Sequence, residues 1–329
     1  MTIFITGATG FIGSKLALKL AAKDHTVHAL YRSAEKANIL NAPNIKLFKG
    51  DILDAESLIT AMQGCDQVYH TAAYANVWAK DRSLIYRLNI EGTMNVLQAA
   101  IVNNIQRIVC TSTAGVLGTS TGDNLLDENS PSPEKYFIDY ESSKAILENI
   151  LKVFSLKGPE IIIVNSSRVY GEGIFSESNG VTRMIESYIR GKWRIIPGSG
   201  KSTGNYVHVD DVVEAHILAM DKGSNGERYI IGGENASYNT FFNLLSEISG
   251  KKFTLIRLPE FFMMFASYLM MLKVYIFGGK PLITPSLVRK FICNFNLSSR
   301  KAIKELGYNP RSLREGLEET VNWLKQRNG

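Results

Sequence analysis

Tyr140-Glu141-Ser142-Ser143-Lys144 sets a phenol and an ammonium four residues apart, which puts both on one face if the stretch is helical. A free tyrosine ionises near about pH 10, and a neighbouring cation lowers that value, so the pair could exchange a proton with a substrate oxygen near neutral pH. Y-x-x-x-K alone also occurs on ordinary surface helices, and a third element supports the chemical reading. Cys110-Thr111-Ser112-Thr113-Ala114-Gly115-Val116 closes an apolar run upstream of Tyr140. In open parallel sheets ligands sit beyond the carboxyl ends of the strands, so the Thr113 hydroxyl would reach a substrate oxygen there. Thr111 and Ser112 read as satisfying backbone at the strand end.

These residues need a scaffold, and the N-terminus supplies its first unit. Thr6-Gly7-Ala8-Thr9-Gly10-Phe11-Ile12-Gly13 follows the apolar run Ile3-Phe4-Ile5, which reads as a strand breaking into a turn that opens a helix. Gly7 permits positive φ, Gly10 lets a pyrophosphate approach the backbone, and Gly13 allows close packing of helix on strand. The free amides of the helix's first turn would face the phosphates of a dinucleotide. At the end of the second strand an NAD site usually carries an acid, whereas here Leu30-Tyr31-Arg32-Ser33 is followed by Lys36. Arg32 offers a planar fork of donors to a 2′-phosphate, so NADP is the expected cofactor and NAD the alternative; the competing reading is a solvated Arg–Lys pair. Asp51-Ile52 is placed to bond the adenine amino group. His70-Thr71-Ala72-Ala73 puts small residues where a fourth strand ends.

Strand-like runs alternate with helical stretches, the pattern of a parallel sheet covered on both faces. Strands are expected at Ile3–Ile5, Thr26–Tyr31, Lys46–Lys49, Gln67–His70, Arg107–Thr111 and Glu160–Asn165. Helices are expected at Phe11–Ala22, Asp54–Met62, Leu84–Val102 and Tyr140–Ser155. The reading is a dinucleotide-binding domain over residues 1–165 and a mainly substrate-binding part over 166–329. The two interlace, because Tyr206–Val209 and the helical Asp210–Met220 look like a strand and helix returning to the main sheet.

The 329 residues suffice for about two domains. Lys and Arg exceed Asp and Glu by six, but the basic residues are scattered, which gives nucleic-acid binding no support. Cys65, Cys110 and Cys293 are few and far apart, indicating neither a disulfide framework nor a metal site and fitting a reducing cytoplasm. The N-terminal stretch does not read as a signal peptide.

With these motifs the chain resembles an extended short-chain dehydrogenase/reductase of the NAD-dependent epimerase/dehydratase superfamily. Further likeness lies in Leu88-Asn89-Ile90-Glu91-Gly92-Thr93, in Arg168-Val169-Tyr170-Gly171-Glu172-Gly173 and in Tyr206-Val207-His208-Val209-Asp210-Asp211-Val212-Val213. Arg32, Thr71-Ala72-Ala73 with Trp78, Gly226–Asn235 and Pro281-Leu282-Ile283-Thr284-Pro285 are similar to the dihydroflavonol reductase-like branch, which includes 3β-hydroxysteroid dehydrogenase-like and sugar epimerase-like proteins. The resemblance implies a Rossmann-type doubly wound α/β fold and a homodimer. It implies that Tyr140 is the acid/base, Lys144 its partner and ribose ligand, and Thr113 the third catalytic position. Gly7, Thr9, Gly10, Phe11, Ile12, Gly13, Arg32, Lys36, Asp51, Ile52, Ala72, Ala73, Thr111, Ser166 and Val169 would join Tyr140 and Lys144 in holding the cofactor. Trp78, Val116, Tyr170 and Tyr206 would face a small-molecule substrate. Two departures stand out: Thr113 replaces the commoner Ser, and Ser166 stands where the family often has Pro. The sugar-nucleotide 4,6-dehydratases carry an Asp-Glu pair where this chain has Thr113-Ala114-Gly115. The implied activity is hydride transfer between nicotinamide and a ketone or secondary alcohol; an epimerase and a catalytically idle cofactor-sensing protein are the alternatives.

Residues 258–277 are apolar at nearly every position, with Lys273 the charge that interrupts the run after Phe261–Leu272. A helix over Pro259–Leu272 is expected. Its readings are core or dimer packing, a pocket for a lipophilic substrate, or contact with a membrane surface.

Overall fold

The computed structural model describes residues 1–175 and 179–328. Its first half runs β1 (Thr2–Thr6), α1 (Phe11–Ala22), β2 (Thr26–Tyr31), α2 (Ala34–Ala37), β3 (Ile45–Lys49), α3 (Ala55–Ala61), β4 (Gln67–His70), α4 (Ser83–Tyr86), α5 (Gly92–Val102), β5 (Arg107–Thr113), α6 (Asp139–Phe154) and β6 (Glu160–Ser166). The second half continues with β7 (Arg168–Tyr170), α7 (Gly180–Ile189), β8 (Ile195–Pro197), β9 (Thr203–His208), α8 (Val209–Lys222), β10 (Arg228–Ile231), β11 (Glu234–Ser237), α9 (Tyr238–Ser249), β12 (Ile256–Leu258), α10 (Glu260–Phe277), α11 (Pro285–Ile292), α12 (Arg300–Leu306) and α13 (Leu313–Asn328).

Seven strands form one all-parallel sheet in the order β3-β2-β1-β4-β5-β6-β10. Both faces are covered, which is why Ile3, Phe4 and Ile5 are apolar without alternation and all buried. Leu16 and Leu20 of α1, Val212 and Met220 of α8 and Leu306 of α12 pack together in one core layer. Leu58 of α3, Val96 and Leu97 of α5 and Leu147 and Leu151 of α6 pack in the other. The chain reverses its direction of sheet building between β1 and β4, so the crevice beyond their carboxyl ends is the ligand position of this architecture.

Residues 203–208 do form a strand, but not in the main sheet. β9 pairs with β7 and β11 in a separate three-stranded sheet, and β10 is the strand that closes the main sheet against β6. The reason lies in the side chains. Tyr229, Ile230 and Ile231 are wholly buried, as a parallel strand covered on both faces requires, whereas β9 carries Asn205, whose amide bonds Asn235 of β11 at 2.8 Å. The helix that follows β9, α8, does return to the main sheet. The single helix expected over 84–102 is three pieces, because residues 87–91 form a π turn between α4 and α5. The helix expected to end at Leu272 runs on to Phe277, and only Met263 and Ser267 of it are buried, which overturns the core-packing reading.

Candidate active site

The glycine turn is built as its residue types require. Gly7 has φ +69°, and a Cβ there would lie 2.6 Å from the Ala72 amide nitrogen; one at Gly13 would lie 2.2 Å from the Gly7 carbonyl oxygen. Gly10 caps α1 without a side-chain hydrogen bond, and the first turn holds no acid, so an anion meets free amides and no repelling carboxylate. These features fit a dinucleotide pyrophosphate. Thr9 and Gly10 are partly exposed, Phe11 is buried and borders Gly173, and Ile12 packs partly on the core. Behind the turn, His70 Nδ1 pairs with Thr6 Oγ1 at 2.7 Å and its Nε2 with Thr93 Oγ1 at 2.8 Å. Burial pushes the His70 pKa down to about 3, so the ring is neutral and acts as a polar latch on the β1 terminus. Ala72 is half-buried and Ala73 exposed just past β4.

At the ends of β2 and β3, Arg32, Lys49, Gly50, Asp51 and Asp54 line an open depression of about 390 Å³. Arg32 Nη1 stands 3.6 Å from Asp51 Oδ2. Asp51 Oδ1 accepts from the Leu53 amide at 3.0 Å, and Ile52 is buried with its carbonyl taking a bond from Asn95 at 3.0 Å. Lys36 is exposed on α2 and does not line this depression, while Lys49, which the sequence reading did not single out, does.

On α6, Lys144 is wholly buried and its Nζ donates to the Thr111 carbonyl at 2.8 Å. Burial pushes its pKa down to about 8. Tyr140 departs from the sequence expectation, because its phenol is pushed up rather than down. Burial is the larger cause, and the carboxylates of Glu141 and Glu148 add to it. The Lys144 ammonium is engaged with the β5 backbone and does not offset them. Thr113 Oγ1 accepts from the Gly115 amide at 3.1 Å, which caps the short 3-10 turn after β5 and leaves the hydroxyl proton free to donate. Thr111 Oγ1 pairs with His216 Nε2 at 2.7 Å, Ser166 is buried with its hydroxyl 3.4 Å from the Ser112 carbonyl, and Val169 packs partly on the core.

The sequence reading missed the supports of this site. Glu141 is buried and ion-paired to Lys290 of α11. Glu148, also buried, accepts from Ser112, from Asn165 at 2.6 Å and from Arg228 of β10 at 3.4 Å. Asn89, in the π turn, accepts from the Tyr74 amide at 2.7 Å and donates to Ser143 Oγ at 2.9 Å, tying the loop after β4 to α6. A π turn is itself a local sign of a functional position.

Three of the four expected substrate contacts are not at an accessible surface. Val116 is buried among Ala114, Leu117, Ile230 and Leu297. Tyr170 and Tyr206 are buried in the core under the smaller sheet, where Tyr206 Oη accepts from Arg168 and Tyr170 lies edge-on to His208. Both phenol rings are enclosed in that second core. Trp78 alone is half-buried, in the loop between β4 and α4.

The model of the NAD dependent epimerase/dehydratase family matches residues 3–232. A sterol demethylase protein B of Methylococcus capsulatus is 29% identical over 99% of each chain. A 3beta-hydroxysteroid-dehydrogenase/decarboxylase isoform 1 of Arabidopsis thaliana is 26% identical, covering 97% of this chain and 78% of its own. Among solved structures, a UDP-glucose 4-epimerase of Thermotoga maritima with UDP-glucose superimposes with a TM-score of 0.82 over the whole of both chains at 26% identity.

Proposed function

The chain belongs to the NAD dependent epimerase/dehydratase family, and from that premise we propose that it is an NADP-linked oxidoreductase acting on a ketone or secondary alcohol. The observation that carries this reading is the buried Lys144, held at the end of β5 one helical turn from Tyr140. Nicotinamide, when bound, supplies or accepts the hydride. The Gly7–Gly13 turn holds the pyrophosphate, and Arg32 with Lys49 receives the 2′-phosphate.

With its pKa raised, the Tyr140 phenol is protonated at neutral pH. It therefore acts first as an acid, delivering its proton to the carbonyl oxygen of a ketone as the carbon is reduced. Thr113 donates a second hydrogen bond to that oxygen. In the reverse direction the phenol must first be deprotonated, so alcohol oxidation should rise with pH. Lys144 remains mostly charged at pH 7, and its ammonium, anchored on the Thr111 carbonyl, is the group that would hold the nicotinamide ribose. The relatives named for sterol and hydroxysteroid chemistry point to an alicyclic substrate.

The likeness to a UDP-glucose 4-epimerase supports a second reading, in which a tightly held cofactor is a transient oxidant. The two separate cleanly on one screen of alicyclic ketones and nucleotide sugars, followed at the reduced-nicotinamide band. Ketone-dependent loss of NADPH absorbance supports the reductase. Epimerised nucleotide sugar with no net absorbance change, and cofactor copurifying with the protein, would replace it with the epimerase.

A further inference from the structure

We propose that α10, with α11 packed beside it, docks this protein on the surface of an anionic lipid bilayer. Phe261, Phe265, Tyr268, Leu272, Tyr275 and Phe277 are all more than half exposed, the last two at 89% and 79%. A contiguous apolar patch of this kind marks an interaction surface. Eighteen residues at about 1.5 Å each approach the thickness of a bilayer core, so crossing must be considered. The chain path rules it out. β12 enters α10 from a pairing with β8, and after α10 residues 293–297 are again bound to the body, with Asn294 bridging Ser120 and the Phe295 amide reaching the Thr203 carbonyl. The chain thus leaves one body before α10 and is bound to it again after α11, and only residues 278–284 separate the two helices. Thr284 at the end of that link is itself buried in the folded chain, and seven residues span at most about 25 Å, too short to return across a core of about 30 Å. The helix must lie along an interface rather than through one.

Charge identifies the partner. Residues 251–304 hold ten Lys and Arg against the single acid Glu260, a net of +9, whereas the remaining residues hold 27 basic and 30 acidic side chains, a net of −3. Arg257, Lys273, Lys280 and Arg289 surround or lie within the apolar stretch, all exposed, and none pairs with a carboxylate among the described residues. A second copy of the chain would set the unpaired Arg257, Lys273, Lys280 and Arg289 against the same cations across this face. An anionic lipid surface instead offers hydrocarbon to the aromatic residues and phosphate to the cations, the two signals that stable peripheral anchoring needs. The docked face also adjoins the candidate site, since Lys290 of α11 pairs with Glu141 beside Tyr140.

Co-sedimentation with vesicles tests this without any substrate, and so independently of the proposed catalysis. The full chain should pellet with vesicles of equal phosphatidylcholine and phosphatidylserine, and much less with phosphatidylcholine alone. Lys273→Ala with Lys280→Ala should weaken binding roughly 25-fold, about fivefold for each cation removed. Tyr275→Glu with Phe277→Glu, at positions too exposed to disturb folding, should abolish it. Wild-type protein remaining in the supernatant, or binding unchanged by the two glutamates, overturns the proposal. A dimer seen by sedimentation velocity without lipid, absent in the glutamate variant and accompanied by no vesicle binding, would overturn it in favour of a second copy.

Discussion

Asp51 is the less obvious half of the proposed cofactor selectivity, and replacing it makes the sharper experiment. Arg32 is strongly exposed, with 70% of its side chain accessible, and lies 3.6 Å from a carboxylate that is itself 38% accessible. At that separation in a water-like dielectric two charges attract by about 1 kcal/mol, and such surface pairs contribute at the low end of the scale. A 2′-phosphate that takes Arg32 must displace this attraction and accept a negative neighbour. Asp51→Asn should therefore tighten NADPH relative to NADH by roughly 1 kcal/mol, about fivefold. Arg32→Ala removes a charge-assisted bond worth roughly 1.5–3 kcal/mol, and exposure places it near the lower figure, about a tenfold loss for NADPH. The ratio of the two affinities is the readout, because any bond from Asp51 to adenine is lost for both cofactors alike. Titration by reduced-nicotinamide fluorescence gives both constants, and added salt should narrow the ratio. Equal loss of NADH and NADPH in Arg32→Ala, or an unchanged ratio in Asp51→Asn, would refute the electrostatic argument.

Stability should fall with acid in a defined window. His70 is held at about 3 and His208 and His216 at about 4, chiefly by burial, so the folded protein keeps all three neutral while the unfolded chain protonates them below about pH 6.5. Their folded values are depressed, so the unfolded state binds more protons, and stability is retained above about pH 6.5 and lost toward pH 4. Near pH 5 the cost is on the order of 2 kcal/mol per ring, visible as a falling urea midpoint between pH 7.5 and 5; a flat profile would contradict it. Gly13→Ala should lower NADPH affinity roughly fivefold to 100-fold, because its methyl meets the Gly7 carbonyl at 2.2 Å, an overpacking cost of roughly 1–3 kcal/mol. Gly180→Ala, with open space around it, should behave as wild type and serves as the control.

Much of the first half was legible because its signals are local. The helix Phe11–Ala22 and the strands Thr26–Tyr31 and Gln67–His70 follow from apolar runs bounded by turns, and the structure has the same limits. Gly7 and Gly13 were readable because steric demand is written in the absence of a Cβ. What escaped depends on partners far along the chain. Whether β9 or β10 closes the main sheet turns on Asn205 meeting Asn235, which neither segment shows alone. Tyr170 and Tyr206 sit in a motif yet face a core completed by α9 and α13. The raised pKa of Tyr140 was also out of reach, since it follows from burial and from how Lys144 is oriented rather than from helical spacing. Composition made α10 visible as unusual, and only its exposure decides against core packing.

In the proposed reaction Tyr140 carries the proton while the turn and depression carry the cofactor. The most direct measurement compares Tyr140→Phe with the wild type, taking NADPH-linked reduction of an alicyclic ketone that the wild type turns over and NADPH affinity from the same preparations. Turnover should fall about 100-fold or more, the usual weight of a positioned acid, with NADPH affinity unchanged within about twofold. Near-normal turnover in Tyr140→Phe would contradict it.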